Sequence, residues 1–134
     1  QVKNLGVNNI YFIGFVSDED KVALLTLCYT ILFPSHLRSE AFGISLLEGA
    51  MYGKPLISSE IGTGTTYINI DGETGLVVKP SDPGALRKAM DYLWNNPKVS
   101  KNMGKYAEKR YWDLFTADKM AKSYLNIYKT LLQK

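Results

Sequence analysis

Apolar and polar positions along the chain fall into short apolar runs separated by stretches of helical spacing. Residues 10–16, IYFIGFV, form a continuous β-branched and aromatic run, which predicts a buried strand closed by Gly14. SDED follows at 17–20. Ser17 as N-cap with Asp20 three residues on has the spacing of a capping box, so 22–28 reads as one short helix. TILF (30–33) predicts a second strand, stopped by Pro34. A helix over about 44–52 ends at Gly53, and PLIS (55–58) predicts a third strand. Beyond the glycine–threonine loop IGTGTT and a turn at 71–75, GLVV (75–78) predicts a fourth. Leu86, Ala89, Met90, Leu93 and Trp94 then recur at helical spacing. From Lys101 onward the pattern is helical with polar faces, and Tyr124, Ile127, Tyr128, Leu131 and Leu132 form the last apolar stripe.

Strands alternating with helices at this spacing imply parallel pairing through right-handed crossovers. The expected architecture is α/β: about four parallel strands with flanking helices and further helices at the C-terminus. Such a sheet is half of a doubly wound fold and little more. In sheets of this kind ligands bind outside the carboxyl ends of the strands, in the loops leading into helices. That rule directs attention to residues 15–21, 34–44 and 59–68.

Composition narrows the classes. The 134 residues suit one domain, and 46% apolar with 22% charged content is ordinary for a folded soluble chain. A net charge of +3, with no basic block and no zinc spacing, gives no nucleic-acid signature. Lys and Arg gather after Arg87, compatible with a peripheral contact at an anionic membrane surface, although a solvated face is the ordinary reading. Cys28 is the single cysteine and His36 the single histidine, which removes disulfide frameworks, thiol–metal sites and any site needing two imidazoles. No run approaches the length of a membrane span.

Two carboxylates stand out in PSHLRSEAFGISLLEGAMYGKPLIS (34–58). Glu40 lies in the loop after the second strand. Glu48 lies about one turn inside the following helix, on the face expected to bury Ile44, Leu47 and Met51. The mouth of that helix carries unpaired N–H groups and partial positive charge, which suits phosphate, and Gly43 lets a ligand approach the backbone there. A carboxylate accepts paired hydrogen bonds from adjacent sugar hydroxyls. Glu40 is equally explained as a partner of the helix dipole, whereas a Glu on an apolar helical face needs a partner or a wet cleft. A glycosidase pair of acid and nucleophile also fits two such carboxylates, with their separation unfixed.

The ordered motifs EAFGISLLEGAMYGKPLI, DGETGLVVKPSD and IYFIGFVSDEDK together resemble retaining nucleotide-sugar glycosyltransferases of the two-Rossmann-domain (GT-B) type, the group 1 family. The resemblance covers nearly the whole chain, as the later part of the C-terminal, donor-binding domain. It implies a partial Rossmann-like domain over 1–134, without the N-terminal acceptor domain or the first two strands. Those strands lie, in the family, between IYFIG and TILF. Implied roles follow for the matching residues. Glu48 binds the ribose hydroxyls, while Glu40, with backbone at Ala41, Phe42 and Gly43, holds the transferred sugar near the reaction centre. Ile44 and Ser45 turn N–H groups to the pyrophosphate, and Val16 presents main chain to the base. Asp18, with Lys21 near it, favours guanine, whose N1–H and N2–H₂ form a donor pair that one carboxylate accepts; an acidic cluster at a helix start explains Asp18 as well. No metal or other cofactor is required, and the donor is a GDP-sugar with a UDP-sugar as alternative. The Gly62 and Gly64 loop resembles that of O-antigen and capsule mannosyltransferases, but Thr66 and Tyr67 stand near the family's acidic position.

The family's Gly-Arg and Lys-Gly cations on the pyrophosphate have no counterpart in this sequence. The expectation is therefore a donor-binding piece, inactive by itself, of a hexosyltransferase. Its acceptor is a glycan or lipid-linked glycan of the cell envelope, and its location the cytoplasm or the inner membrane face. A nucleotide-sugar epimerase of the same architecture and a non-catalytic nucleotide-sugar-binding module are the alternatives.

Overall fold

The structure, a computed structural model, describes Asn4 and residues 6–133. Helix α1 (Asp18–Leu27) is followed by strand β1 (Ile31–Phe33), helix α2 (Ile44–Met51) and strand β2 (Leu56–Ser59). Then come helix α3 (Thr65–Ile68), strand β3 (Gly75–Val78) and helices α4 (Pro83–Asn95), α5 (Pro97–Leu114) and α6 (Ala117–Leu132). The three strands form one parallel sheet in the order β1-β2-β3, with Leu56 opposite Ile31 on one side and Gly75 on the other.

The sheet has three strands among the described residues, not about four. Residues 10–16 form no strand, and Tyr11, Phe12 and Phe15 stand 81%, 82% and 100% exposed. A strand exists only through a ladder that satisfies its N–H and C=O groups. Among the described residues no strand pairs with 10–16, so the apolar run has no ladder to join.

Alternation along β2 divides the core. Every residue of β2 is buried. Leu56 joins Leu46 and Ala50 of α2, Ile68 of α3 and Ala107 of α5 on one face. Ile57 joins Ala89 and Leu93 of α4 and Met103 of α5 on the other. Burial of these side chains is the main driving force for the fold. Helices α1 and α6 bury no residue, and the Tyr124–Leu131 stripe stays more than half exposed. Ser17 caps α1 as its spacing predicts, accepting from Asp20 N at 3.1 Å. Lys54 Nζ donates to Thr26 O at 2.7 Å and ties the far end of α1 to the turn after α2.

The buried face of α2 also differs from the expected one. Leu46, Gly49 and Ala50 point into the core, while Ile44 is 69% exposed and Leu47 and Met51 are half-buried. Positions 46, 49 and 50 form their own helical stripe, turned away from 44, 47, 48 and 51. Glu48 is accordingly on a half-exposed face, not a core face.

Gly104 of α5 meets the backbone of Gly53, which follows the end of α2 in the left-handed conformation (φ +66°). A Cβ at Gly104 would run into the carbonyl oxygen of Gly53. Gly104→Ala should therefore destabilise the chain by roughly 1–3 kcal/mol, as overpacking of a tight contact does, and a urea titration with an unchanged slope and a lower midpoint is the expected readout. Partial burial holds the Cys28 thiol above its ordinary pKa, against the weaker pull of the Lys54 charge. Thiolate is the reactive form, so iodoacetamide should alkylate native Cys28 more slowly at pH 8 than the unfolded chain in guanidinium.

Candidate functional site

All three strands point the same way, so Pro34, Glu60 and Lys79 leave the sheet at one end. Two of the exits are laced together. Gly64 N donates to Ala41 O at 2.9 Å, and Arg38 Nη2 donates to Gly62 O at 3.3 Å. Gly64 has no Cβ because none fits: the nearest atoms would be Phe42 Cδ2 at 2.7 Å and Ala41 O at 2.9 Å.

Gly43 enters α2 with φ +93° and ψ 62°, a left-handed step that suits only glycine beside Leu46 and Thr65. The step turns the Gly43 and Phe42 amides back toward Glu40, whose Oε1 accepts from them at 2.9 and 3.4 Å. Glu40 thus holds the turn that leads into α2 and sets its charge beside the positive end of the helix, although no side chain caps α2 itself. The dipole-partner reading of Glu40 is what this geometry displays. The first helical residues, Ile44 and Ser45, lie exposed at the same mouth, and their N–H groups have no intrahelical acceptor.

Glu48 finds its partner 27 residues away. Lys21 Nζ donates to Glu48 Oε1 at 3.0 Å and lies 3.6 Å from Asp18 Oδ1. The hydrogen bond to Glu48, followed by its charge, holds the Lys21 ammonium above its ordinary pKa. A raised lysine contributes stability below its unfolded pKa and loses it as pH rises through the folded one, so the pair is intact at neutral pH. One cation therefore joins Asp18, at the start of α1, to Glu48, one turn into α2. Val16, just before the N-cap, is half-buried beside them in sequence. Of the expected site residues, Glu40, Ala41, Phe42, Gly43, Ile44 and Ser45 form one loop–helix unit. Asp18, Lys21 and Glu48 form a second, adjoining it through α2.

Sequence reasoning missed what holds the loop from behind. Phe115, at the end of α5, meets Phe42 edge-on with ring centres 6.3 Å apart, and Tyr67 at 5.6 Å. The Arg110 guanidinium lies 5.1 Å from the Tyr67 ring centre and 5.7 Å from that of Phe115, and its Nη2 donates to Tyr67 O at 2.6 Å. Its buried Nε has no acceptor among the described residues, a cost offset by the flanking rings. Phe42 and Phe115 are 73 positions apart in the sequence, so no local pattern announces the contact. Among the described residues no three of His, Cys, Asp and Glu lie together as metal ligands, and no helix is long and apolar enough to cross a membrane.

Glu48 and Lys21 both keep solvent contact, with side chains 32% and 44% exposed. Glu48→Gln should therefore change unfolding free energy by no more than about 1 kcal/mol, measurable by urea denaturation. Phe115→Ala should instead speed hydrogen exchange at the Phe42 and Gly43 amides, and Phe115→Leu should restore part of the protection.

Residues 1–110 match the family described as Glycosyl transferases group 1. The chain is 68% identical over 117 residues to the D-rhamnosyltransferase WbpZ of Pseudomonas aeruginosa, covering 87% of this chain and 31% of that protein. It is 50% identical to the O-antigen chain mannosyltransferase C of Escherichia coli, covering 99% and 36%. The sucrose-phosphate synthase of Thermosynechococcus elongatus superposes with a TM-score of 0.87 at 26% identity, over 98% of this chain and 33% of that one. The chain thus spans about a third of the length of the curated relatives it matches. On this match and these identities, it belongs to the glycosyl transferases group 1 family.

Proposed function

We propose that residues 1–134 are a donor-binding part of a retaining hexosyltransferase. The donor is mannose or a related sugar carried as a GDP-sugar, and the acceptor a glycan or lipid-linked glycan of the cell envelope. The observation that carries this reading is the Lys21 bridge between Asp18 and Glu48 at the carboxyl end of a parallel sheet, beside the mouth of α2. The names of the two relatives, a rhamnosyltransferase and an O-antigen mannosyltransferase, support the sugar class and the envelope setting.

The geometry suits a division of labour. Lys21 engages Oε1 of Glu48 and orients the carboxylate, and Oε2 takes the ribose hydroxyls. Asp18, with its side chain 98% exposed, accepts from the N1–H and N2–H₂ edge of guanine while main chain at Val16 meets the base. Ile44 and Ser45 turn N–H groups to the pyrophosphate, where the helix dipole favours negative charge. Glu40 and the backbone of Ala41, Phe42 and Gly43 orient the sugar, and Glu40 exchanges its own amides for sugar hydroxyls as donor enters. The cations that stabilise the leaving pyrophosphate come from a part of the enzyme outside these residues, without a metal. The chain alone accordingly binds donor and does not transfer it. The enzyme works at the cytoplasmic side, free or peripheral to the membrane.

Calorimetric titration tests the reading. GDP and GDP-mannose should bind more tightly than UDP and UDP-glucose, and Asp18→Asn should erase that preference. Glu48→Ala should weaken GDP binding roughly tenfold or more, the loss of charge-assisted hydrogen bonds. Tighter UDP binding would overturn the guanine assignment, unchanged affinity in a folded Glu48→Ala would remove the ribose role, and robust transfer by the chain alone would refute its dependence on outside cations.

A further inference from the structure

A second recess lies at the same end of the sheet, where the start of α4 approaches the exits of all three strands. It encloses about 200 Å³. Its polar lining is His36, Ser59, Lys79, Ser81 and Asp82, and its apolar walls come from Pro34, Val78, Pro83 and Leu86. None of these residues has a part in the donor reading.

The signal of a ligand is Ser59. Strand alternation turns Ser58 toward the α2 side, where its hydroxyl accepts from Asn69 Nδ2 at 2.9 Å. Ser59 turns to the opposite face, is 3% exposed, and makes no side-chain hydrogen bond among the described residues. The residue borders the recess, and a hydroxyl offers one donor and two acceptor sites to whatever enters there. Asp82 adds spare capacity: Oδ1 accepts from Ala85 N at 2.8 Å and caps α4, which leaves the other oxygen for a donor. Ser81, between Lys79 and α4, holds φ +57°, a strained value for a residue with a side chain and one found at binding sites more than elsewhere.

The lining also selects the ligand. Lys79 and Asp82 oppose each other in charge, so the recess makes no demand for an anion or a cation. Apolar walls against one face, with donors and acceptors around the rim, match the C–H face and hydroxyl edge of a sugar ring. The volume suits a single ring. Position then assigns the sugar's source, since His36 precedes Glu40 by four residues on the same loop. We propose that this recess is a subsite for one uncharged pyranose unit of the acceptor glycan, held by Ser59, His36 and Asp82 against Pro83 and Leu86. The assignment to the acceptor rests on the donor reading above.

Titration of the ¹⁵N-labelled chain with methyl α-D-mannopyranoside, followed by amide shifts, tests it. The expected response is confined to His36, Ser59, Lys79 and Ser81. Ser59→Ala and His36→Ala, neither of which removes a core side chain, should each weaken the mannoside about three- to tenfold, the scale of one lost hydrogen bond. Shifts at 40–48 in place of the recess, no shifts at all, or unchanged affinity in folded Ser59→Ala would each overturn the proposal. A parallel titration with GDP-mannose should move residues 16–21 and 40–48 and leave Ser59 and Ser81 unmoved. Movement at Ser59 and Ser81 would make the recess a donor subsite and overturn the acceptor assignment. A chain that ignores GDP-mannose while the mannoside still shifts Ser59 and Ser81 would count against the donor reading and for the sugar pocket.

Discussion

The carboxamide of Asn69 lies with no solvent exposure between β2 and β3, and all of its hydrogen-bonding groups are used. Its Nδ2 donates to Ser58 Oγ at 2.9 Å and to Leu76 O at 3.0 Å, and its Oδ1 accepts from Thr74 Oγ1 at 3.0 Å. Thr74 Oγ1 in turn accepts from Ile70 N at 2.7 Å. Buried polar groups stabilise only when every member is satisfied, and a satisfied set specifies one arrangement. Here the set pins β3 beside β2 and closes the short connection between them. Gly75, facing the same amide, has no room for a Cβ against Leu56 O and Asn69 Oδ1. The sheet register follows from this cluster, and the strand exits follow from the register.

Parallel pairing has a second effect. With every strand running the same way, the loops that follow them gather at one edge, and polar chemistry collects there because the opposite edge only receives connections. Glu40, Glu48 with Lys21, and the recess around Ser59 all lie along that edge. The first two are electrostatically self-satisfied: the helix mouth has a carboxylate of its own chain, and the Glu48 carboxylate has an ammonium. A ligand entering such a place exchanges hydrogen bonds with groups already paired. The energy of binding is then the difference between two good partners, which favours discrimination over raw affinity.

Much of this was legible in the sequence because the signals were local. Ser17 and Asp20 announced a helix start, Gly53 a helix end, and the runs around Leu32, Ile57 and Val77 three strands. The loops at strand exits and the two glutamates were placed correctly on the chain. Three things were not legible, each for a physical reason. Residues 10–16 have the composition of a strand, but pairing partners decide whether a strand forms. The orientation of α2 was not legible because both 44–47–51 and 46–49–50 are apolar stripes, and only the packing of Gly49 against Ile31 and Leu56 of the sheet, with Ala50 in the cluster that includes Ala107 of α5, chooses between them. Lys21 as the partner of Glu48, and Phe115 behind Phe42, depend on long-range packing that no spacing rule encodes.

Gly104 and Phe115 belong to one rigid rod. Helix α5 touches the turn at Gly53 near its middle and the aromatic cluster at its end, about 16 Å farther along at 1.5 Å per residue. A pivot at one point and a load at the other make α5 a lever. A methyl group at the pivot would have to push the helix or the Gly53 turn aside, and Phe115, at the end of the same helix, would carry that displacement to Phe42. The smallest side chain in the crossing therefore sets the alignment of a loop that it never touches.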